Sequence, residues 1–369
     1  MRNKLNRNKK KYIEFKDFEN LELIDVINHK NHLSLKKSVS PSIKEDCTEY
    51  YFGYVFSPYI YSCFKEAVVS WGAKAPPGTW LEFEIRPIFK DRIGKWYSLG
   101  LWLESANPFS RHSQVGQDDL DGSVHVDTLM LENVAEGFQI RAKLASVYKN
   151  ISPILKYFGV SLSLGRDRGE VQKEENYPDQ KKWCSLCLPV PKKSQMLYMG
   201  GEVFCSPTSV SMILNFWAEK INDPPLKKSV PKVVKGVWDK AYKGAGNWSF
   251  NTAYVASLGL YAIVARLSSL KKLEQLILLG IPVIVSIAYE HKSLDGAPLS
   301  FTNGHLVVVK GFSDNGNVLV NDPAGATNDE VEKVYNRNEF ENAWLNGSDG
   351  TSYLIYPLGY IDETLFQIN

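Results

Sequence analysis

The sequence predicts two domains, an N-terminal all-β sandwich and a C-terminal α+β domain. Three observations carry that expectation. From about residue 51 to residue 165, short runs alternate apolar and polar side chains, as half-buried strands do. Beyond residue 188 helical spacing takes over, then gives way to apolar strand-like runs. Between them, residues 166–188 (RDRGEVQKEENYPDQKKWCSLCL) are charged and without period, as a linker is. The expected boundaries are an extension over 1–50, a sandwich over 51–176 and a second domain over 177–369, with the break near Tyr177.

In the extension, only Leu21 to Ile27 reads as a strand. In the sandwich, Pro76-Pro-Gly78 makes a turn before Trp80-Leu-Glu-Phe-Glu-Ile-Arg86, which alternates. Trp96 to Trp102, Val124 to Met130, Phe138 to Val147 and Val160 to Leu164 alternate too. Tyr51 to Val55 and Ala67 to Trp71 are their expected partners. Trp71, Trp80, Trp96 and Trp102 read as core, against the rarer alternative of an exposed platform for a sugar ring or peptide. The loop holding His112, Asp118, Asp119 and Asp121 reads as an acidic solvated turn rather than a hard-cation site.

The second domain is organised around Gln195 to Trp217. Gly200-Gly201 is a turn. Val210, Ile213, Leu214 and Trp217 then recur with the spacing of a helix with one buried face, and Pro207 suits its first turn. Cys205 therefore stands at a helix N-terminus, where free N–H groups and the helix dipole favour a thiolate. Further helices are expected over Val230–Tyr242, Asn251–Leu258, Leu267–Leu279 and Tyr335–Leu345. Strands are expected at Pro282–Ile287, Gly304–Gly311, Val318–Asp322 and Thr351–Tyr356.

Composition excludes several classes. A net charge of +2 supplies no general field toward nucleic acid or membrane, and the basic run from Arg2 to Lys11 reads as a solvated terminus. No apolar stretch follows it as in a signal peptide, and none is long enough to span a bilayer, so a cytoplasmic location is the default expectation. The five cysteines, Cys47, Cys63, Cys184, Cys187 and Cys205, are odd in number and irregularly spaced, unlike a disulfide framework. Cys184 and Cys187 form a single pair with no second pair, a weak zinc signal.

A cysteine nucleophile needs a base, a group to hold the base, and donors for an oxyanion. The second domain has two histidines. His291 lies in a charged loop and reads as solvent-facing, whereas His305 opens an apolar strand. Asp322 ends the next strand, and a hairpin turning at Ser313 to Asn317 brings it to the same end of the sheet as His305. Gln195 stands ten residues before Cys205, placed to offer its amide to an oxyanion. Taken singly, each has a plain structural reading: a ladder end, an Asp-Pro turn, a surface glutamine.

These residues sit in VPKKSQMLYMGGEVFCSPTSVSMILNFW, NGHLVVVKGF, VNDPA, VYNRNEFENAWL and GTSYLIYP. Over about residues 188–358 they resemble the papain-like cysteine peptidases of the bacteriocin-processing type, family C39. The likeness is greatest to soluble C39-like relatives that lack a transporter. The resemblance implies a papain-like fold, Cys205 as nucleophile, His305 as general base, Asp322 as its orienter, Gln195 in the oxyanion hole and no cofactor. Transporter-linked members cut leader peptides after two small residues, but this sequence shows no membrane domain and no P-loop, which leaves the substrate open. The expected activity is hydrolysis of peptide bonds in a peptide or protein. Two rivals are an inactive binding protein and an amidase acting on cell-wall peptides. By analogy the sandwich reads as an accessory module for a carbohydrate or protein ligand.

Overall fold

The computed structural model describes residues 11–43, 49–105, 110–165 and 186–361. The basic residues from Arg2 to Lys10, Cys47, Cys184 and the break expected near Tyr177 lie outside them. The chain divides into two compact units. Of the described residues, one unit holds 12–165 and 238–257, and the other holds 186–237 and 258–361. This differs from the expected boundaries in two places: residues 12–50 contribute strands to the first unit, and 238–257 pack there too.

Among its described residues, the first unit is all-β except for one helix. Its strands are β1 (Lys11–Phe15), β2 (Glu22–Ile24), β3 (Val26–Asn28), β4 (Leu33–Leu35), β5 (Ser42–Ile43), β6 (Glu49–Phe56), β7 (Ile60–Lys74), β8 (Thr79–Ile88), β9 (Tyr97–Trp102), β10 (Gly122–His125), β11 (Thr128–Ser146) and β12 (Ile154–Ser163). Where two stacked sheets were expected, hydrogen bonds join all twelve strands in one nearly closed sheet. The reason is β11. Its first half pairs with β7, and after bulges around Ala135 its second half runs between β6 and β8. A bulge bends a strand and increases its twist, so one strand can serve two layers. Gly137 is required at the bend, because a Cβ there would lie 2.4 Å from the Ile60 carbonyl oxygen.

Alternation sends one side chain in two into the core. Trp71 of β7 stacks on Phe83 of β8 with ring centroids 4.3 Å apart, and Trp102 meets Trp71 edge-on. Trp71, Trp80 and Trp102 are buried, so they are core and not a platform. Trp96 is half-buried on the outer face, with the guanidiniums of Arg86 and Arg141 each 4.5 Å from its ring. The acidic loop is neutralised by its neighbours: Asp121 pairs with Arg92, and Asp119 accepts from Lys95 and Tyr97.

Residues 238–257 are tied into this unit by two buried carboxylates. Asp239 accepts from the backbone N–H of Ser113, Ala241 and Tyr242 and from the Asn247 amide. Asp127 accepts from the backbone N–H of Trp248 and Ser249, which begin a helix and have no partner within it. Burial pushes Asp127 up to about 6, against these hydrogen bonds. Phe250 on the same helix enters the core, 5.6 Å from Trp102 and 6.3 Å from Trp71.

The other unit mixes helices and strands. In order these are β13 (Leu186–Cys187), α1 (Cys205–Lys220), α2 (Val230–Val237), the first unit's helix α3 (Trp248–Ser257), β14 (Leu260–Arg266), α4 (Leu270–Leu278), β15 (Val283–Tyr289), β16 (Thr302–Phe312), β17 (Val318–Asn321), β18 (Glu332–Tyr335), α5 (Arg337–Glu341) and β19 (Thr351–Pro357). The sheet runs β14-β19-β15-β16-β17-β18, with β13 added on β16, and every pairing is antiparallel. Its central strands β15 and β16 carry β-branched runs buried on both faces.

Three expectations change here. β14 was not foreseen, since LYAIVAR has no period and is buried throughout. The helix expected from Tyr335 starts two residues later, because Asn336 caps it by accepting from Asn338 and Glu339 N–H, leaving Tyr335 as the end of β18. α1 buries most of its circumference rather than one face, and its small polar residues face packed neighbours. Ser209 Oγ donates to the Leu306 carbonyl at 3.2 Å, and Trp217 Nε1 to the Ile355 carbonyl at 2.9 Å. These bonds hold α1 against β16 and β19.

Candidate active site

Cys205 is the first residue of α1 and is half-buried. Phe204 precedes it without a side-chain cap, so the first-turn N–H groups are not taken by a capping side chain. His305 lies in β16 opposite Ile287 of β15 and is buried. Asp322 follows β17 and is fully buried. The β16–β17 register sets Val308 against Asn321, so Asp322 falls beside the same end of β16 that carries His305. Side chains two apart on a strand share a face, and the hairpin therefore points Asp322 at His305.

The contacts form a chain. The His305 imidazole and the Cys205 thiol act on each other electrostatically. His305 Nε2 stands 2.7 Å from Asp322 Oδ1. Nε2 being engaged, Nδ1 is the ring nitrogen left for the sulfur. Asp322 Oδ1 also accepts from the Ala324 N–H at 2.9 Å, and Oδ2 accepts from the Tyr335 hydroxyl at 2.6 Å.

Electrostatics follow the contacts. Burial by itself would push the Cys205 thiol up, but the hydrogen bond and charge of His305, with the backbone N–H groups of Leu306 and Ser206, bring it below its ordinary value. Burial would lower His305, yet the charge and hydrogen bond of Asp322 and the contact with Cys205 raise it to about 10. Burial would raise Asp322, but His305, Tyr335 and the Ala324 N–H hold it below the usual carboxylate range. Together these shifts favour the ion pair of thiolate and imidazolium over the neutral pair.

Gln195 lies in a short turn of 3-10 helix and is buried. Its backbone N–H donates to the Pro323 carbonyl at 2.9 Å, and the Ser194 N–H to Asn328 Oδ1 at 2.8 Å. The Gln195 turn is thus fastened to the loop that leaves Asp322. Gln195 Nε2 gives one hydrogen to the Glu202 carbonyl at 3.0 Å, and its second hydrogen remains. A Cβ on Gly201 would lie 1.8 Å from the Gln195 carbonyl oxygen. Gly201→Ala must therefore displace either Gln195 or the turn into Cys205. We expect kcat/KM for any substrate of this site to fall about 100-fold. Circular dichroism should show the secondary structure retained; unchanged turnover would mean that the two segments move together without consequence.

His291 is exposed, as its charged loop suggested. Sequence reasoning missed Tyr335, the Ala324 N–H and the two backbone donors to the sulfur. Only Ala324 carried a signal: Asp-Pro-Ala is a turn in which an Asp side chain accepts from the N–H two residues on. Among the described residues, no cluster of three or more His, Cys, Asp or Glu is placed to hold a metal ion. None of their helices is long and apolar enough to cross a membrane.

A family model described as the peptidase C39-like family matches residues 187–351. The C-terminal domain is C39-like. A second model, described as the peptidase C39 N-terminal domain, matches residues 8–163, beyond the span of the resemblance over 188–358. Among solved structures, a candidate C39-like peptidase from Bacillus anthracis is 15% identical over 46% of this chain and 96% of its own, with a TM-score of 0.33. The C-terminal CBM6 of LamC, a laminarinase of Zobellia galactanivorans, is 11% identical over 41% of this chain and 99% of its own, with a TM-score of 0.19. No curated protein matches the chain. The C39-like domain contains Cys205, His305, Asp322 and Gln195, and all four belong to the same compact unit.

Proposed function

We propose that the C39-like domain is a cysteine peptidase that hydrolyses peptide bonds of a peptide or protein substrate. Cys205 Sγ attacks the carbonyl carbon, and the carbonyl electrons move onto its oxygen. The second hydrogen of Gln195 Nε2 and the backbone N–H of Cys205 at the start of α1 receive that oxyanion. His305 then passes a proton to the leaving amine as the C–N bond breaks, which leaves a thioester on Cys205. Neutral His305 takes a proton from water, and the hydroxide equivalent splits the thioester, releasing the acid and restoring the pair. Asp322 keeps the imidazole in the required tautomer and stabilises its charged form.

The observation that carries this reading is the hydrogen bond of His305 to Asp322 and the electrostatic coupling of His305 to Cys205, with the sulfur at a helix start. Iodoacetamide provides the test. The pH sign follows from the shifts: Cys205 lies below an ordinary thiol and His305 above an ordinary imidazole, so the ion pair spans the interval between them. Cys205 should therefore label faster at pH 6–7 than the exposed Cys63 and Cys187, by about 100-fold. Peptide hydrolysis should fall on the acid side as the thiolate is protonated. It should fall on the alkaline side near pH 10 as His305 loses its proton. Labelling of all three cysteines at one slow rate, with no cleavage in a peptide library, would leave an inactive binding protein. Cleavage of murein fragments but not of peptides would move the activity to a cell-wall amidase.

A further inference from the structure

The group behind the Cys–His–Asp chain is a phenol. The geometry points to Tyr335 as a positioning residue for the reaction, its hydroxyl fixing the Asp322 carboxylate that orients His305. This rests on the peptidase reading of the same site.

Three observations support it. First, Tyr335 is fully buried, and its hydroxyl lies 2.6 Å from Asp322 Oδ2. Asp322 Oδ1 is occupied by His305 and the Ala324 N–H, and Oδ2 takes its hydrogen bond from Tyr335. Second, the ring cannot swing away. Tyr335 closes β18 opposite Val318 of β17, and its ring stacks on Phe340 at 6.3 Å with the planes 18° apart. Third, the phenol is held as a donor. Burial and the Asp322 charge both raise Tyr335, so it stays protonated wherever Asp322 is ionised. A buried carboxylate oxygen that loses its donor is left desolvated without compensation, and the carboxylate then holds its charge less firmly. A weaker Asp322 charge holds less positive charge on His305, and a weaker imidazolium holds less thiolate on Cys205. The effect of Tyr335 therefore travels through two intervening groups to the sulfur.

The test compares Tyr335→Phe with the unaltered chain, using two readouts. One is the pH midpoint of iodoacetamide labelling at Cys205; the other is kcat and KM on a peptide that the unaltered chain cleaves. We expect the labelling midpoint to rise by about one pH unit and kcat to fall about tenfold with KM unchanged. Ile263→Ala serves as the control, opening a cavity in β14 at the opposite edge of the sheet from β18 while leaving Tyr335 and its ring contacts intact. It should lower the unfolding temperature without moving the midpoint. If Tyr335→Phe fails to fold, 3-fluorotyrosine at 335 replaces it. That residue is a stronger donor of nearly the same size, and it should move the midpoint down. An unmoved midpoint in either folded variant overturns the positioning role. If the unaltered chain cleaves nothing, the peptidase reading fails, while the labelling midpoint still decides whether Tyr335 controls the sulfur.

Discussion

Cys205→Ala is expected to lose at least about 10⁴-fold in peptide hydrolysis while the domain stays folded. The sulfur is the only covalent participant in the proposed reaction, and what would remain is oxyanion stabilisation and binding. The stability side of the expectation comes from burial. Cys205 is half-buried at the open end of α1. The helix itself is held by Ser209, Trp217 and the pairing of Ser206 with the Tyr353 hydroxyl at 2.9 Å. Alanine keeps the helical backbone and removes one sulfur. Adding His305→Ala to Cys205→Ala should cost almost nothing more, because residues that act as one unit are not additive. Kinetics on a cleaved peptide, with circular dichroism and a thermal melt, check both halves. A melt that collapses in Cys205→Ala would make the residue part of the packing instead.

Phe250→Ala is expected to destabilise the first unit by about 3–5 kcal/mol. Phe250 is fully buried between Trp71 and Trp102, and its ring lies 3.0 Å from the Cβ position of Gly100. Close packing on several sides prevents the site from collapsing, so most of the ring volume would remain as a cavity. The effect should appear as lost hydrogen-exchange protection in β7, β8 and β9. A chain cut after residue 165 lacks Phe250 altogether, together with the N–H groups that satisfy Asp127. That fragment should fail to fold alone, and attaching residues 238–257 through a flexible linker should restore it. A stable, cooperative melt of the fragment alone would show that the helix is dispensable.

The two predictions differ in how far they were legible in advance. Cys205 could be placed at a helix start from the turn Gly200-Gly201, from Pro207 and from the spacing of Val210, Ile213, Leu214 and Trp217. His305 and Asp322 are separated by one short hairpin, so turn chemistry alone carries them to the same end of the sheet. Tyr335 was read as the first residue of a helix reaching to Leu345. Asn336 moves that start by capping the helix itself, which leaves Tyr335 in the strand. Trp71 and Trp102 were legible as core, but β11 was not legible as one strand. Its bulged middle breaks the alternation that marks a strand. Residues 238–257 carry a helical pattern that says where apolar side chains lie and nothing about which core receives them.

The amino-acid order therefore determined what is local: a cysteine at the head of a helix, a histidine and an aspartate brought level by a hairpin, and β-rich then mixed composition along the chain. The tertiary structure decided what joins distant parts. Cys205 is brought to His305 across 99 intervening positions, Tyr335 closes on Asp322, and α3 packs with the strands of the first unit. Period and turn preference arise from a few neighbouring residues, whereas these contacts exist only once the whole chain has buried its apolar surface and each buried polar group has found its partner.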